Sequence, residues 1–134
     1  MEQKKFEQVF KNKTILVTGH TGFIGSWLTL WLNQLGANVV GYSLNPSTKP
    51  SFFNILNLKD DTQNVISDLR NKEKLFRTIK EYEPEIVFHL AAQPLVRESY
   101  KNPLETFEIN VLGTANILDA IRDSKVKTCI MMTS

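Results

Sequence analysis

Gly19, Gly22 and Gly25 recur every three residues in the stretch Thr18-Gly-His-Thr-Gly-Phe-Ile-Gly-Ser-Trp27. That spacing suits a tight strand-to-helix turn whose backbone must come close to a phosphate. The first glycine can take a positive φ, and the later ones leave room for a ligand and for close helix–strand packing. The apolar run Ile15-Leu16-Val17 precedes the turn and an amphipathic stretch follows it. The helix start then offers unpaired N–H groups and the positive end of its dipole to a pyrophosphate. Glycine loops are common; a strand before, a helix after and a second strand at the right distance make this one specific.

Three other places can do chemistry. The run Val39-Val40-Gly41-Tyr42-Ser43 is a second strand whose end would lie beside an adenosine ribose. Folds that bind NAD often place a carboxylate there, roughly 20 residues past the loop. Ser43 falls 18 residues after Gly25, Asn45 lies just beyond, and no Asp or Glu occurs between Ala37 and Lys59. Ser43 or Asn45 can hydrogen-bond a ribose, so NAD is the expected cofactor, although the usual repulsion against the 2′-phosphate of NADP is missing. Asp68 ends a third strand on the ligand side of a parallel sheet, where it either accepts from an adenine amino group or caps the following helix. Ala91-Ala92 closes a fourth strand and leaves space for a flat ligand. His89, inside that apolar strand, is expected to be a satisfied structural residue rather than a catalyst.

The elements that must position these residues alternate regularly. Residues 1–12 form a mixed-charge lead-in, either frayed or with Phe6, Val9 and Phe10 in one helical turn packed on the domain edge, and residues 13–134 form the domain. Strands are expected at Lys13–Thr18, Asn38–Ser43, Asn64–Asp68, Glu85–Leu90 and Lys127–Thr133. Helices are expected at Phe23–Leu35, with Ile24, Trp27, Leu28, Trp31 and Leu35 as its core face, and at Lys72–Glu83, stopped by Pro84. A third runs from Pro103 to about Arg122 with Leu104, Phe107, Val111, Ala115, Leu118 and Ile121 as its buried stripe. The long connection Leu44–Lys59 holds a short helix around Phe52, Phe53, Leu56 and Leu58. Five strands separated by helices imply an α/β doubly wound parallel sheet of the Rossmann type, and right-handed crossovers give the order 3-2-1-4-5. The topological switch then falls between strands one and four, beside Gly19 and Ala91.

Bulk properties narrow the function. The net charge of +2 sits wholly in residues 1–14, and the remaining 120 residues are balanced, so no basic stripe points to nucleic acid. Phe23–Leu32 is too short and too interrupted to span a bilayer, and residues 1–14 lack the apolar centre of a signal peptide, which makes the cytoplasm the default location. Cys129, the single cysteine, can form neither an internal disulfide nor a metal cluster and reads as a buried bystander.

Four segments together resemble the extended short-chain dehydrogenase/reductases that act on nucleotide sugars: Thr18–Gly25, Ser67-Asp68-Leu69, His89-Leu-Ala-Ala-Gln93 and Asn110-Val-Leu-Gly-Thr114. Within that family the likeness is strongest to the CDP-glucose 4,6-dehydratases, carried by His20, Ser26-Trp27-Leu28 and the run Phe88–Tyr100. The resemblance implies a lyase of deoxysugar biosynthesis. It holds NAD, oxidises the sugar at C4, eliminates water across C5 and C6, and returns the hydride to C6. It also implies that Gly19, His20, Thr21, Gly22, Phe23, Ile24 and Gly25 bind the cofactor, the glycines lining the pyrophosphate and Phe23 and Ile24 offering N–H groups. Asp68 and Leu69 would flank the adenine, and Leu90, Ala91, Ala92 and Gln93 would line the ribose and nicotinamide side. Ser134 would hydrogen-bond the sugar C4 hydroxyl as a catalytic residue, no metal is implied, and the intact protein would be a homodimer paired through the helix from Pro103 and a later one.

The departure from the family is large. The hydride chemistry uses a Tyr-x-x-x-Lys pair, tyrosine as base and lysine lowering its pKa. Here Tyr42 is followed four residues on by Pro46, Tyr82 by Ile86 and Tyr100 by Leu104. The expectation is therefore the cofactor-binding portion of an enzyme, truncated after the fifth strand and lacking the substrate-binding part, with no turnover of its own. A nucleotide-sugar epimerase of the same family and a non-catalytic dinucleotide-binding module are the alternatives.

Overall fold

The computed structural model describes residues 2–133, with side chains from Lys5 onward. Five parallel strands, β1 (Thr14–Thr18), β2 (Asn38–Ser43), β3 (Gln63–Ile66), β4 (Ile86–His89) and β5 (Thr128–Met131), form one sheet in the order β3-β2-β1-β4-β5. This is the expected doubly wound topology. Alternate residues of β1 feed two cores. Leu16 joins Val40, Tyr42, Val87 and Ile117 on one face, while Ile15 and Val17 join Leu32, Val39 and Ile86 on the other. A strand buried on both faces needs the unbroken aliphatic run that residues 15–17 supply.

Helices α1 (Glu2–Phe10), α2 (Phe23–Gln34), α3 (Phe52–Ile55), α4 (Lys72–Tyr82), α5 (Val96–Lys101), α6 (Pro103–Phe107) and α7 (Gly113–Arg122) fill the connections. Residues Glu108–Leu112 join α6 to α7 as a π-helical turn. Helix stops follow the expected chemistry. Gly36 takes φ +78° after α2, and Glu83 takes a left-handed φ of 45° before Pro84. The lead-in is more ordered than one helical turn, since α1 spans nine residues and Phe6 stacks on Trp31 with ring centroids 5.6 Å apart. Helix α5 was not anticipated.

Two helix faces differ from expectation. In α2 the buried residues are Gly25, Ser26, Thr29 and Leu32, whereas Ile24, Trp27 and Trp31 are more than half exposed. The first turns of the helix lie so close to the loop that small side chains face it, Leu32 enters the core farther along, and Ile24, Trp27 and Trp31 turn outward. Trp27 leans on Phe52, with centroids 4.7 Å apart. In α6 and α7 the inward residues are Gly113, Ile117 and Ala120, and the expected stripe of Leu104, Phe107, Val111, Ala115 and Leu118 faces out.

Candidate functional site

The glycine loop joins β1 to α2 beside the end of β4, at the switch point. Gly19 has φ +74°, its N–H donates to Tyr42 O at 2.9 Å, and a Cβ on it would come within 2.8 Å of Ala91 N. The N–H of Gly22 donates to Gly19 O at 3.1 Å, and a Cβ at Gly25 would fall 2.0 Å from that same oxygen. The loop is thus folded tightly onto the first turn of α2. Gly19 supplies the left-handed backbone, and Gly25 supplies the close packing of helix on loop. The first α2 bond runs from Ser26 N–H to Gly22 O at 2.8 Å. Among the described residues the N–H groups of Phe23, Ile24 and Gly25 take no acceptor. Three such donors at the positive end of a twelve-residue helix suit an anion. The side chains of Phe23 and Ile24 are exposed, so what these residues offer the loop is backbone.

A directed hydrogen-bond chain fixes the opposite wall. Thr18 Oγ1 accepts from the N–H groups of Leu90 at 3.1 Å and Ala91 at 3.2 Å, and it donates to His89 Nδ1 at 2.7 Å. The far ring nitrogen of His89 therefore carries the proton and donates to Thr114 Oγ1 at 3.0 Å, which in turn donates to Asn110 O at 2.7 Å. Asn110, within the π turn, closes on the next loop by accepting from Gln93 N–H at 2.7 Å and donating to Gln93 O at 3.1 Å. Burial pushes the His89 imidazole below its ordinary pKa, and both ring nitrogens are occupied by protein. His89 is structural, as its place in an apolar strand suggests.

Several expected contacts change character. The His20 ring is fully buried beneath β2, edge-on to Phe53, with Nε2 donating to Asn64 Oδ1 at 2.9 Å. Burial lowers its pKa, partly offset by the Asn64 bond. Its side chain points into the interior, so only its main chain belongs to the loop surface. Leu69 is likewise a core side chain, packed on Gly113, where a Cβ would lie 3.1 Å from Leu69 Cβ. Gln93 does not turn its side chain to the site. Its amide donates to Leu95 O and Thr106 Oγ1, and its oxygen accepts from Leu95 N–H at 2.7 Å. Leu90, Ala91 and Ala92 follow β4 past the switch point, with Ala92 exposed.

At the end of β2, Thr21 Oγ1 donates to Leu44 O at 2.8 Å and lies 2.7 Å from Ser43 Oγ, while Asn45 is exposed. Asp68 does not cap α4; Asn71 does, accepting from Lys74 N–H at 3.0 Å. The Asp68 carboxylate instead accepts from Arg70: Oδ1 from the backbone N–H at 2.8 Å and Nε at 3.1 Å, Oδ2 from the terminal nitrogen at 2.7 Å. That guanidinium holds the carboxyl below its ordinary range and also reaches Glu105 and Glu108. Ser134 lies outside the described residues. Sequence reasoning missed the positioning roles of Thr18, Arg70, Asn110 and Thr114, whose partners are mostly distant in the chain. Two open grooves lie elsewhere, one of 380 Å³ on the outer face of α2 and one of 760 Å³ between α4 and α7.

Known proteins share this fold and much of its sequence. The chain is 49% identical over 126 residues to CDP-glucose 4,6-dehydratase from Salmonella typhimurium, covering 93% of this chain and 35% of that protein. It is 36% identical to CDP-paratose 2-epimerase from Salmonella typhi, covering 90% of this chain and 36% of the relative. The chain thus spans about a third of the length of these relatives. Among solved structures, the epimerase Mth375 of Methanothermobacter thermautotrophicus superposes with a TM-score of 0.82 at 28% identity, covering 97% of this chain and 38% of that one. UDP-glucose 4-epimerase from Brucella ovis in complex with NAD gives 0.76 at 32% identity, over 89% of this chain and 35% of that one. The family model described as GDP-mannose 4,6 dehydratase matches residues 16–134, from mid-β1 through β5, and the chain belongs to that family.

Proposed function

We propose that this chain is the cofactor-binding portion of a nucleotide-sugar 4,6-dehydratase, with NAD as cofactor and CDP-glucose as the substrate of the whole protein. The observation that carries the reading is the meeting of Gly19 with Ala91 beside three N–H groups at the start of α2 that take no acceptor among the described residues. A diphosphate suits that place because Gly19 and Gly25 let the loop close onto β4 and onto the first turn of α2, which presents those N–H groups as bare backbone. In the proposed site the N–H groups of Phe23 and Ile24 hold the pyrophosphate, Ser43 meets the adenosine ribose, and Asp68 with the backbone of Leu69 flanks the adenine. The backbone of Leu90, Ala91 and Ala92 lines the nicotinamide half. When bound, NAD would accept a hydride from the sugar and return it. The identity of 49% to a CDP-glucose dehydratase, against 36% to an epimerase, favours dehydration over epimerisation.

No tyrosine of this sequence has lysine four residues on. The proposal therefore gives this chain cofactor binding without turnover, and gives the dehydratase activity to the whole protein. Titration with NADH, followed by its fluorescence, is expected to saturate for the native chain and not for Gly22→Val. An absence of binding by the native chain, or consumption of CDP-glucose by it, would refute the assignment. The same reading makes the outward stripe of Leu104, Phe107, Val111 and Leu118 the pairing face of a dimer, which sedimentation of the intact protein tests.

A further inference from the structure

Ser43 occupies the end of β2, where dinucleotide folds commonly carry a ribose-binding carboxylate. A carboxylate only accepts hydrogen bonds; a free serine hydroxyl both donates and accepts. The structure removes that ambiguity. Leu44 O can only accept, so the single proton of Thr21 Oγ1 is committed to it at 2.8 Å. The 2.7 Å contact between Thr21 Oγ1 and Ser43 Oγ must then use the serine proton. Thr21 is nearly buried, so water does not compete freely for its hydroxyl. Among the described residues no donor is directed at Ser43 Oγ, whose remaining capacity is its lone pairs.

We infer that Thr21 is a cofactor-specificity residue: by taking the Ser43 proton it turns Ser43 into a neutral acceptor that suits a ribose 2′-hydroxyl and disfavours a 2′-phosphate. A 2′-hydroxyl donates to that lone pair. A 2′-phosphate presents only acceptor oxygens at neutral pH and meets lone pair with lone pair. Selectivity for NAD over NADP then comes from the direction of two hydrogen bonds rather than from charge, at a β2 end with no carboxylate within reach in sequence.

This rests on the dinucleotide-binding reading and is separable from it. NADH and NADPH are titrated in parallel into the native chain, Thr21→Val, Thr21→Ser and Ser43→Ala, and the ratio of the two dissociation constants is compared. The native chain is expected to bind NADH at least fivefold more tightly. Thr21→Val frees the serine proton and is expected to bring the ratio close to one, whereas Thr21→Ser keeps it. Ser43→Ala is expected to weaken NADH more than NADPH, so the inference can still fail if Thr21→Val does not fold. A native ratio near one, or an unchanged ratio in Thr21→Val or Ser43→Ala, overturns the role of Thr21 while leaving dinucleotide binding intact. Failure of the native chain to bind either nucleotide overturns both.

Discussion

The backbone of Ala91 occupies the space into which a side chain on Gly19 would grow: a Cβ there would sit 2.8 Å from Ala91 N and 2.9 Å from its Cα. Gly19 also holds φ +74°. A left-handed φ alone costs a substituted residue about 1–2 kcal/mol. Contact with backbone cannot be relieved by a rotamer change. Gly19→Ala is therefore expected to lose at least ~3 kcal/mol of stability together with NADH binding. Gly36→Ala shares the conformation at φ +78°, but its Cβ would meet only Lys11 Cγ at 3.5 Å, an ordinary van der Waals contact. It should cost about 1–2 kcal/mol and leave binding intact. Chemical denaturation of both variants checks the contrast.

A Cβ on Gly41 would overlap the buried His20 ring at 2.2 Å. Gly41→Ala should cost about 1–3 kcal/mol, as overpacking does. In a His20→Ala background the same change should cost much less, because the ring is gone. Additive losses in the double-mutant cycle would contradict the contact.

Asn110 satisfies both the N–H and the C=O of Gln93. Asn110→Ala leaves them to find water or go unpaired, an expected loss of about 1–3 kcal/mol. The local sign is faster deuterium exchange at the Gln93 amide, with the amides of β1 unaffected.

Burial lowers the pKa of both His20 and His89. An unfolded histidine titrates near ~6.5, so below that pH the unfolded chain binds more protons than the folded one. Stability contributed by the neutral rings is fully present above ~6.5 and is lost as pH falls toward the folded values. The urea midpoint should drop between pH 8 and pH 5.5. A flat midpoint across that window would contradict both assignments.

Arg70 lowers the pKa of Asp68, whose side chain is 27% exposed. The folded value lies below the unfolded one, so the contribution is present above pH ~4 and lost as the solution is acidified. Solvent screening limits the ion pair to under ~1 kcal/mol. Arg70→Ala should raise the Asp68 midpoint in an NMR titration with little change in melting temperature.

The sheet was legible because its signal is local. Runs such as Ile15-Leu16-Val17 and Ile86-Val87-Phe88 carry their own period, and glycine and proline mark their ends. Helix faces were misread where hydrophobicity ranked residues by size. By size Trp27 and Trp31 rank as the core of α2, yet the residues that turn inward are Gly25, Ser26, Thr29 and Leu32. The loop glycines were legible from spacing. The directed chain through Thr18, His89 and Thr114 was not, since its links join residues 71 and 25 apart. The inward turn of His20 depends on Gly41 and Asn64, which nothing in its own neighbourhood announces.

The central seam has a kinetic consequence. β1 pairs on one side with β2 and on the other with β4, matching Ile15 to Ile86 and Thr18 to His89. The β1–β2 edge can close once the single helix α2 has crossed over, but the β1–β4 edge must wait until some seventy intervening residues have been gathered in. Pairings of such long sequence separation slow folding. That long-range seam is also the one that brings Ala91 against Gly19, so a refolding chain should acquire its β2 side first and the contact between Gly19 and Ala91 afterwards.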